Sequence, residues 1–133
     1  MSIYSVNGTE RVLSEYAFLV SETDEKGVII FVNDDFCEAA GYTSHELIGK
    51  PHNIVRHSDM PKAAFKDLWE TVKRGETWTG FVKNNVKGGR EFYWVYATVY
   101  PVLRDGKHYY MSCRKKATED EIASSIALYK TLV

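Results

Sequence analysis

Residues 77–100 read TWTGFVKNNV (77–86), KGGR (87–90) and EFYWVYATVY (91–100). Two runs rich in β-branched and aromatic residues flank a short loop with two glycines, which is the composition of a β-hairpin. Pro101 closes the second run. Arg104-Asp105-Gly106-Lys107 supplies another turn, and His108–Lys115 reads as a third antiparallel strand. Neighbours along a strand point to opposite faces. One face therefore carries Trp78, Gly80, Val82 and Asn84, beside Tyr93, Val95, Ala97 and Val99. That face suits a cavity, with an aromatic wall, a glycine permitting close approach and an amide at its end. The other face carries Phe92, Trp94, Tyr96, Thr98 and Tyr100. It is too aromatic for a solvent face and calls for a cover or a partner.

Upstream, Ala17–Thr23 reads as a strand, Asp24–Gly27 as a turn and Val28–Val32 as a second strand. Asn33 or Asp34 caps a short helix that runs through Ala40 and stops at Gly41. Ser44 to Gly49 holds another helical turn, and Pro51–Pro61 is a polar connector. Ala64, Phe65, Leu68, Trp69 and Val72 then recur at helical spacing up to Gly75. Thr118, with Glu121 three residues on, opens a final helix through a capping box. Its stripe of Ile122, Ile126, Tyr129 and Val133 packs on the domain's own sheet or docks a partner helix. The order predicts an α+β fold: a five-stranded antiparallel sheet, short helices inserted after the second strand, and a C-terminal helix. Residues 1–16 form an N-terminal segment, 17–117 the domain and 118–133 the terminal helix.

Composition narrows the function. The 133 residues carry 17 basic and 18 acidic side chains, a net charge of −1, so nucleic-acid binding is not expected. No apolar run is long enough to insert in a membrane, and residues 1–15 are too polar for a signal peptide. Cys37 and Cys113 form no metal-binding pair, and the expectation is two buried free thiols in a reducing cytosol. The Asn7-Gly8-Thr9 sequon carries no meaning in such a compartment. There is no phosphate-cradling glycine loop and no nucleophile–base set, so no enzyme activity is read.

Several segments carry a resemblance. Val32-Asn33-Asp34, Gly41-Tyr42-Thr43, Leu47-Ile48-Gly49-Lys50 and Tyr93-Trp94-Val95 are similar to general features of PAS domains. The stretch from Pro51 to Pro61, Trp78-Thr79-Gly80 with Lys83-Asn84, and Thr118 to Leu132 resemble the PAS domain of bacterial aerotaxis (energy-taxis) receptors. The resemblance implies a cytoplasmic redox sensor at or near the inner membrane face. It would hold FAD non-covalently and signal to a chemotaxis receptor or output module, in cis or in trans. A stand-alone or excised module fits, and so does a homodimer. Photosensory relatives carry a reactive cysteine where this chain reads Asn53-Ile54-Val55-Arg56, so no light-driven adduct is expected.

The resemblance marks Arg56, His57, Asp59, Trp78, Asn84 and Asn33 as cofactor-binding. Arg56 offers a fork for phosphate. His57 bonds flavin or phosphate, and Asp59 accepts from a ribose hydroxyl or orients Arg56. Trp78 stacks on a ring face or packs in the core. Asn84 can match the mixed donor and acceptor edge of a flavin, and it or Asn33 can answer reduction by rotating its amide. Asn33 also has the reading of a plain N-cap. Lys83, Lys87 and Arg90 read as a solvated hairpin loop. Two alternatives stay open: a haem sensor using His52 or His57, and a cofactor-free interaction module.

Overall fold

A computed structural model describes residues 9–132. Its elements run in the order β1 (Thr9–Glu10), β2 (Leu19–Asp24), β3 (Ile29–Val32), α1 (Asp34–Ala40), α2 (Ser44–Leu47), a 3-10 turn (His52–Val55), α3 (Lys62–Lys73), β4 (Trp78–Asn85), β5 (Glu91–Arg104), β6 (Lys107–Lys116) and α4 (Glu119–Lys130). The long strands form an antiparallel sheet in the order β4-β5-β6-β2-β3. A sixth strand, β1, joins β5 in parallel at Glu91 and Phe92. The N-terminal segment thus docks from Thr9 onward, where Arg11 pairs with Glu91 at 3.0 Å and Leu13 is buried. Residues 1–8, which include Asn7 and Gly8 of the sequon, and Val133 of the helical stripe lie outside the described residues.

Local chemistry explains the boundaries. Asn33 caps α1 by accepting from Phe36 N, and Gly41 ends it in the left-handed conformation. Thr43 and Thr118 each form a full capping box with the glutamate three residues on. Strand β5 does not close at Pro101 but continues to Arg104, with Pro101 opposite Tyr110 on β6. Past Val99 it has lost β4 as a neighbour, and a proline without an N–H is tolerated where one side of a strand is unpaired.

The helical segment between β3 and β4 covers one sheet face, as the element order requires. The opposite, aromatic face is covered by the chain itself. Phe92 and Trp94 are buried, α4 lies against β4, and the Tyr129 hydroxyl donates to the Phe81 carbonyl. Ile122 and Ile126 pack half-buried against the core, so the described part of the α4 stripe faces its own domain. No helix among the described residues is long and apolar enough to cross a membrane.

Gly80 serves packing within the sheet. The Trp78 ring lies over it so closely that an added Cβ would stand 2.5 Å from the indole. Gly80→Ala is therefore expected to lower stability by about 1–3 kcal/mol, the cost of overpacking against a rigid ring. Denaturant unfolding monitored by circular dichroism measures it.

Candidate functional site

A cavity of about 520 Å³ separates the inner sheet face from the helical layer. That volume falls within the ~300–1,000 Å³ of cofactor-sized clefts. Strand alternation supplies the floor: Tyr110, Ser112 and Arg114 from β6, Val99 from β5 and Asn84 from β4 all line it. Register keeps them together, because Ser112 pairs with Val99 and Arg114 with Ala97. The connector contributes His52, Asn53, Val55 and Arg56, and α3 contributes Phe65, Leu68 and Trp69. The connector reaches the sheet by lying along the outer edge of β4, where Arg56 bridges Asn84 and His57 N–H donates to the Lys83 carbonyl at 3.3 Å.

The floor is electropositive and rich in donors. Arg114 is buried, and no carboxylate ion-pairs with it among the described residues. Burial pushes its pKa down to about 10. Its Nε donates to Ser112 Oγ at 2.8 Å. The buried Asn84 amide, oriented by its neighbours, accepts from Arg114 Nη1 at 3.0 Å and donates to the Val55 carbonyl at 3.3 Å. Beside them the His52 Nε2 bonds Ser21 Oγ at 2.9 Å. Burial, with the charge of Arg114 next, drives the His52 pKa down to about 3, so the imidazole is neutral. The Arg56 guanidinium lies 3.8 Å over the Phe65 ring, and its Nε–H is buried without a partner among the described residues. A counter-ion-free guanidinium and an orphaned donor in one cavity call for an electron-rich ligand with acceptor atoms.

Of the residues marked by the sequence, Arg56 and Asn84 meet at this cavity, and the other four lie outside its lining. Trp78 is buried beneath α3, with Nε1 donating to Asp67 Oδ2 at 2.9 Å. Asn33 spends its amide on the chain, accepting from Val20 N and Phe36 N and donating to the Phe18 carbonyl. His57 is buried edge-on to Phe92, and its Nδ1 accepts from Asp59 N–H. Asp59 pairs with Lys83 at 2.9 Å, not with Arg56. The Lys83 side chain is only 1% exposed, which corrects its reading as part of a solvated loop. It lies on the opposite face of β4 from Asn84, beneath the connector. Lys87 pairs with Glu46. Both cysteines are free thiols and half-buried.

Sequence reasoning misses Arg114, Ser112 and Ser21, and it weighs His52 as a haem or zinc ligand rather than as a polar group of the cavity. The signal for Arg114 was present, because the alternation that places Asn84 inward also places Tyr110, Ser112 and Arg114 inward once the register of the last hairpin is known. Among the described residues no group of three or more His, Cys, Asp or Glu is placed to hold a metal ion.

A family profile described as PAS fold matches residues 29–114. The chain is 51% identical over 121 residues to the aerotaxis receptor of Escherichia coli (strain K12), covering 90% of this chain and 24% of the receptor. It is 32% identical over 99 residues to the biofilm dispersion protein BdlA of Pseudomonas aeruginosa, covering 74% of this chain and 23% of that protein. The chain thus spans about a quarter of the length of these curated relatives. The dark structure of the blue-light photoreceptor Aureochrome1 LOV superposes with a TM-score of 0.72 at 14% identity, covering 85% of each chain, a likeness of fold.

The half-buried His52 imidazole sets a pH dependence. Between its ordinary value of 6.5 and about 3, the unfolded chain binds a proton at His52 that the folded chain refuses. Stability therefore falls as pH falls through that window, by at most about 1.4 kcal/mol per pH unit for one such group. His57, also pushed down by burial and then by Lys83, adds to the same slope. His52→Gln is expected to flatten the dependence without abolishing it. Urea midpoints between pH 7 and pH 4 check this.

Proposed function

This chain belongs to the PAS fold family, and we propose that it is a redox sensor of the aerotaxis kind that holds FAD in the cavity between sheet and helices. The observation that carries the reading is Arg114, a buried guanidinium without a carboxylate partner among the described residues, which shares the cavity floor with the Asn84 amide. A flavin ring suits that floor, because its pyrimidine edge alternates acceptors and a donor and gains negative charge on reduction. Bound there, a flavin supplies one- and two-electron chemistry and a change of protonation with redox state.

The protein's own groups have distinct parts in this reading. Arg114 and Asn84 hold the electron-rich edge of the ring. Ser112 keeps the Arg114 guanidinium in place through Nε. His52, neutral and fastened to Ser21, adds a polar group without adding a second charge. Arg56 places its buried Nε–H for an acceptor such as a phosphate oxygen. Asn84 has opposite hydrogen-bonding character at its two ends, so a change in what faces it favours a different amide orientation. Asn84 sits on β4, and β4 carries the Phe81 carbonyl that holds Tyr129 of α4. A change at the cavity thus has a path along the β4 backbone and through one hydrogen bond to the terminal helix, and from there to a chemotaxis receptor or output module.

The similarity to the aerotaxis receptor supports the sensor class, and the donor set of the cavity supports a flavin. Protein purified from a flavin-replete host is expected to be yellow and to release FAD on heating. Release of FMN, or no chromophore after saturation with FAD, would sink the assignment. Arg56→Ala should weaken FAD retention about ten- to a hundredfold, the scale of a charge-assisted bond, with cooperative unfolding kept. Flavin-to-protein ratios after gel filtration measure it.

A further inference from the structure

We propose that the buried Asp59–Lys83 ion pair is a clip that holds the connector against β4, and that it sets how long the cavity keeps its ligand without touching the ligand. The inference rests on the flavin reading for its ligand and on the geometry of β4 for its mechanism.

Strand alternation puts Asn84 inside and Lys83 outside. The connector wraps the edge of the same strand, so Arg56 enters the cavity while Asp59 reaches the far face. The other fastenings along this edge are weak: His57 N–H to the Lys83 carbonyl at 3.3 Å, the Asn84 amide to the Val55 carbonyl at 3.3 Å and the Asn85 amide to the Arg56 carbonyl at 3.4 Å lie at the long end for N–H···O bonds, and Lys83 N–H reaches only the soft acceptor Met60 Sδ, at 3.4 Å. The strong link is Lys83 Nζ to Asp59 Oδ2 at 2.9 Å, with the Lys83 side chain 1% and the Asp59 side chain 17% exposed. The ammonium also lies 4.3 Å over the Phe92 ring, which closes the far side of the pair. Removing one partner of a desolvated pair takes from the other charge the counter-ion matched to it here, and in a bound state that is felt mainly in the dissociation rate. When the clip opens, the part of the cavity wall that carries Arg56 loosens, while His52 stays fastened to Ser21 and Gly27. Asp59 and Lys83 are thus positioning residues for Arg56.

Two measurements on the whole chain test this. In the first, FAD dissociation is followed by the recovery of flavin fluorescence. Lys83→Met and Asp59→Asn are each expected to speed release by roughly ten- to a hundredfold while leaving the bound flavin's absorption bands unmoved. Lys83→Arg should restore most of the retention, and the Lys83→Met/Asp59→Asn double variant should be no worse than the faster single variant. If Asp59→Asn shifts the absorption bands and Lys83→Met has no effect, Asp59 contacts the ligand and the clip is refuted.

The second measurement needs no ligand. Amide exchange in the FAD-free protein should rise at His57 and Met60 in either single variant, with the β5 amides still protected. Unchanged exchange at both amides overturns the proposal even if the wild-type protein binds no flavin, an outcome that would refute the proposed function instead. If Lys83→Met fails to fold, Asp59→Asn decides the matter alone, because its carboxylate is partly open to solvent.

Discussion

The arrangement depends on strand β5 being paired along both sides. Trp78 to Asn85 register against Phe92 to Val99 on one side, and Lys107 to Lys116 register against Val95 to Arg104 on the other. With both neighbours locked, the two-residue period of each strand becomes a single pattern across the sheet. Asn84, Val99, Ser112 and Arg114 come to one face for that reason alone, although they are separated by up to thirty positions in the chain. A slip of one residue in the β5–β6 hairpin would send Arg114 to the aromatic face and Cys113 into the cavity, and a slip in the β4–β5 hairpin would exchange Asn84 for Lys83.

Charge is handled differently on the two faces of the sheet. Inside, Arg114 has neutral partners, Ser112 and Asn84, and no carboxylate among the described residues, and its guanidinium is held at the expense of its solvation. Outside, Lys83 is as deeply buried but is matched by Asp59 and by the face of Phe92. A buried charge without a counter-ion is unfavourable unless something else answers it, and a compensated one is a structural fastening. The contrast separates the two groups by purpose, even though both are basic side chains on strands of one sheet.

The order of elements, the hairpin turns, the Thr118 capping box and the inward face of β4 and β5 were legible in the sequence, because propensity, turn chemistry and alternation are local properties. Arg56 and Asn84 were legible as cavity residues as well. His57, Asp59 and Trp78 lie close to those residues in sequence yet face elsewhere, because the connector turns around an edge and α3 supplies Asp67 to the indole. No local pattern encodes that turn. Lys83 was misread for a related reason: three basic residues near a glycine loop look solvated until a segment more than twenty residues upstream covers one of them. The continuation of β5 past Pro101 depended on where β4 ends, which is also a tertiary fact.

The edge-wrapped connector has a consequence for how the domain assembles. Helix α1 and the β2–β3 hairpin need only nearby residues, and so do the hairpins of the second half. The connector lies against β4, a strand made after it, and Asp59 meets Lys83 across 24 positions, a longer loop to close than either hairpin of the second half. The cavity wall is therefore among the last parts to close, and it closes around whatever occupies the space. A ligand present at that moment is enclosed as a component of the folding reaction.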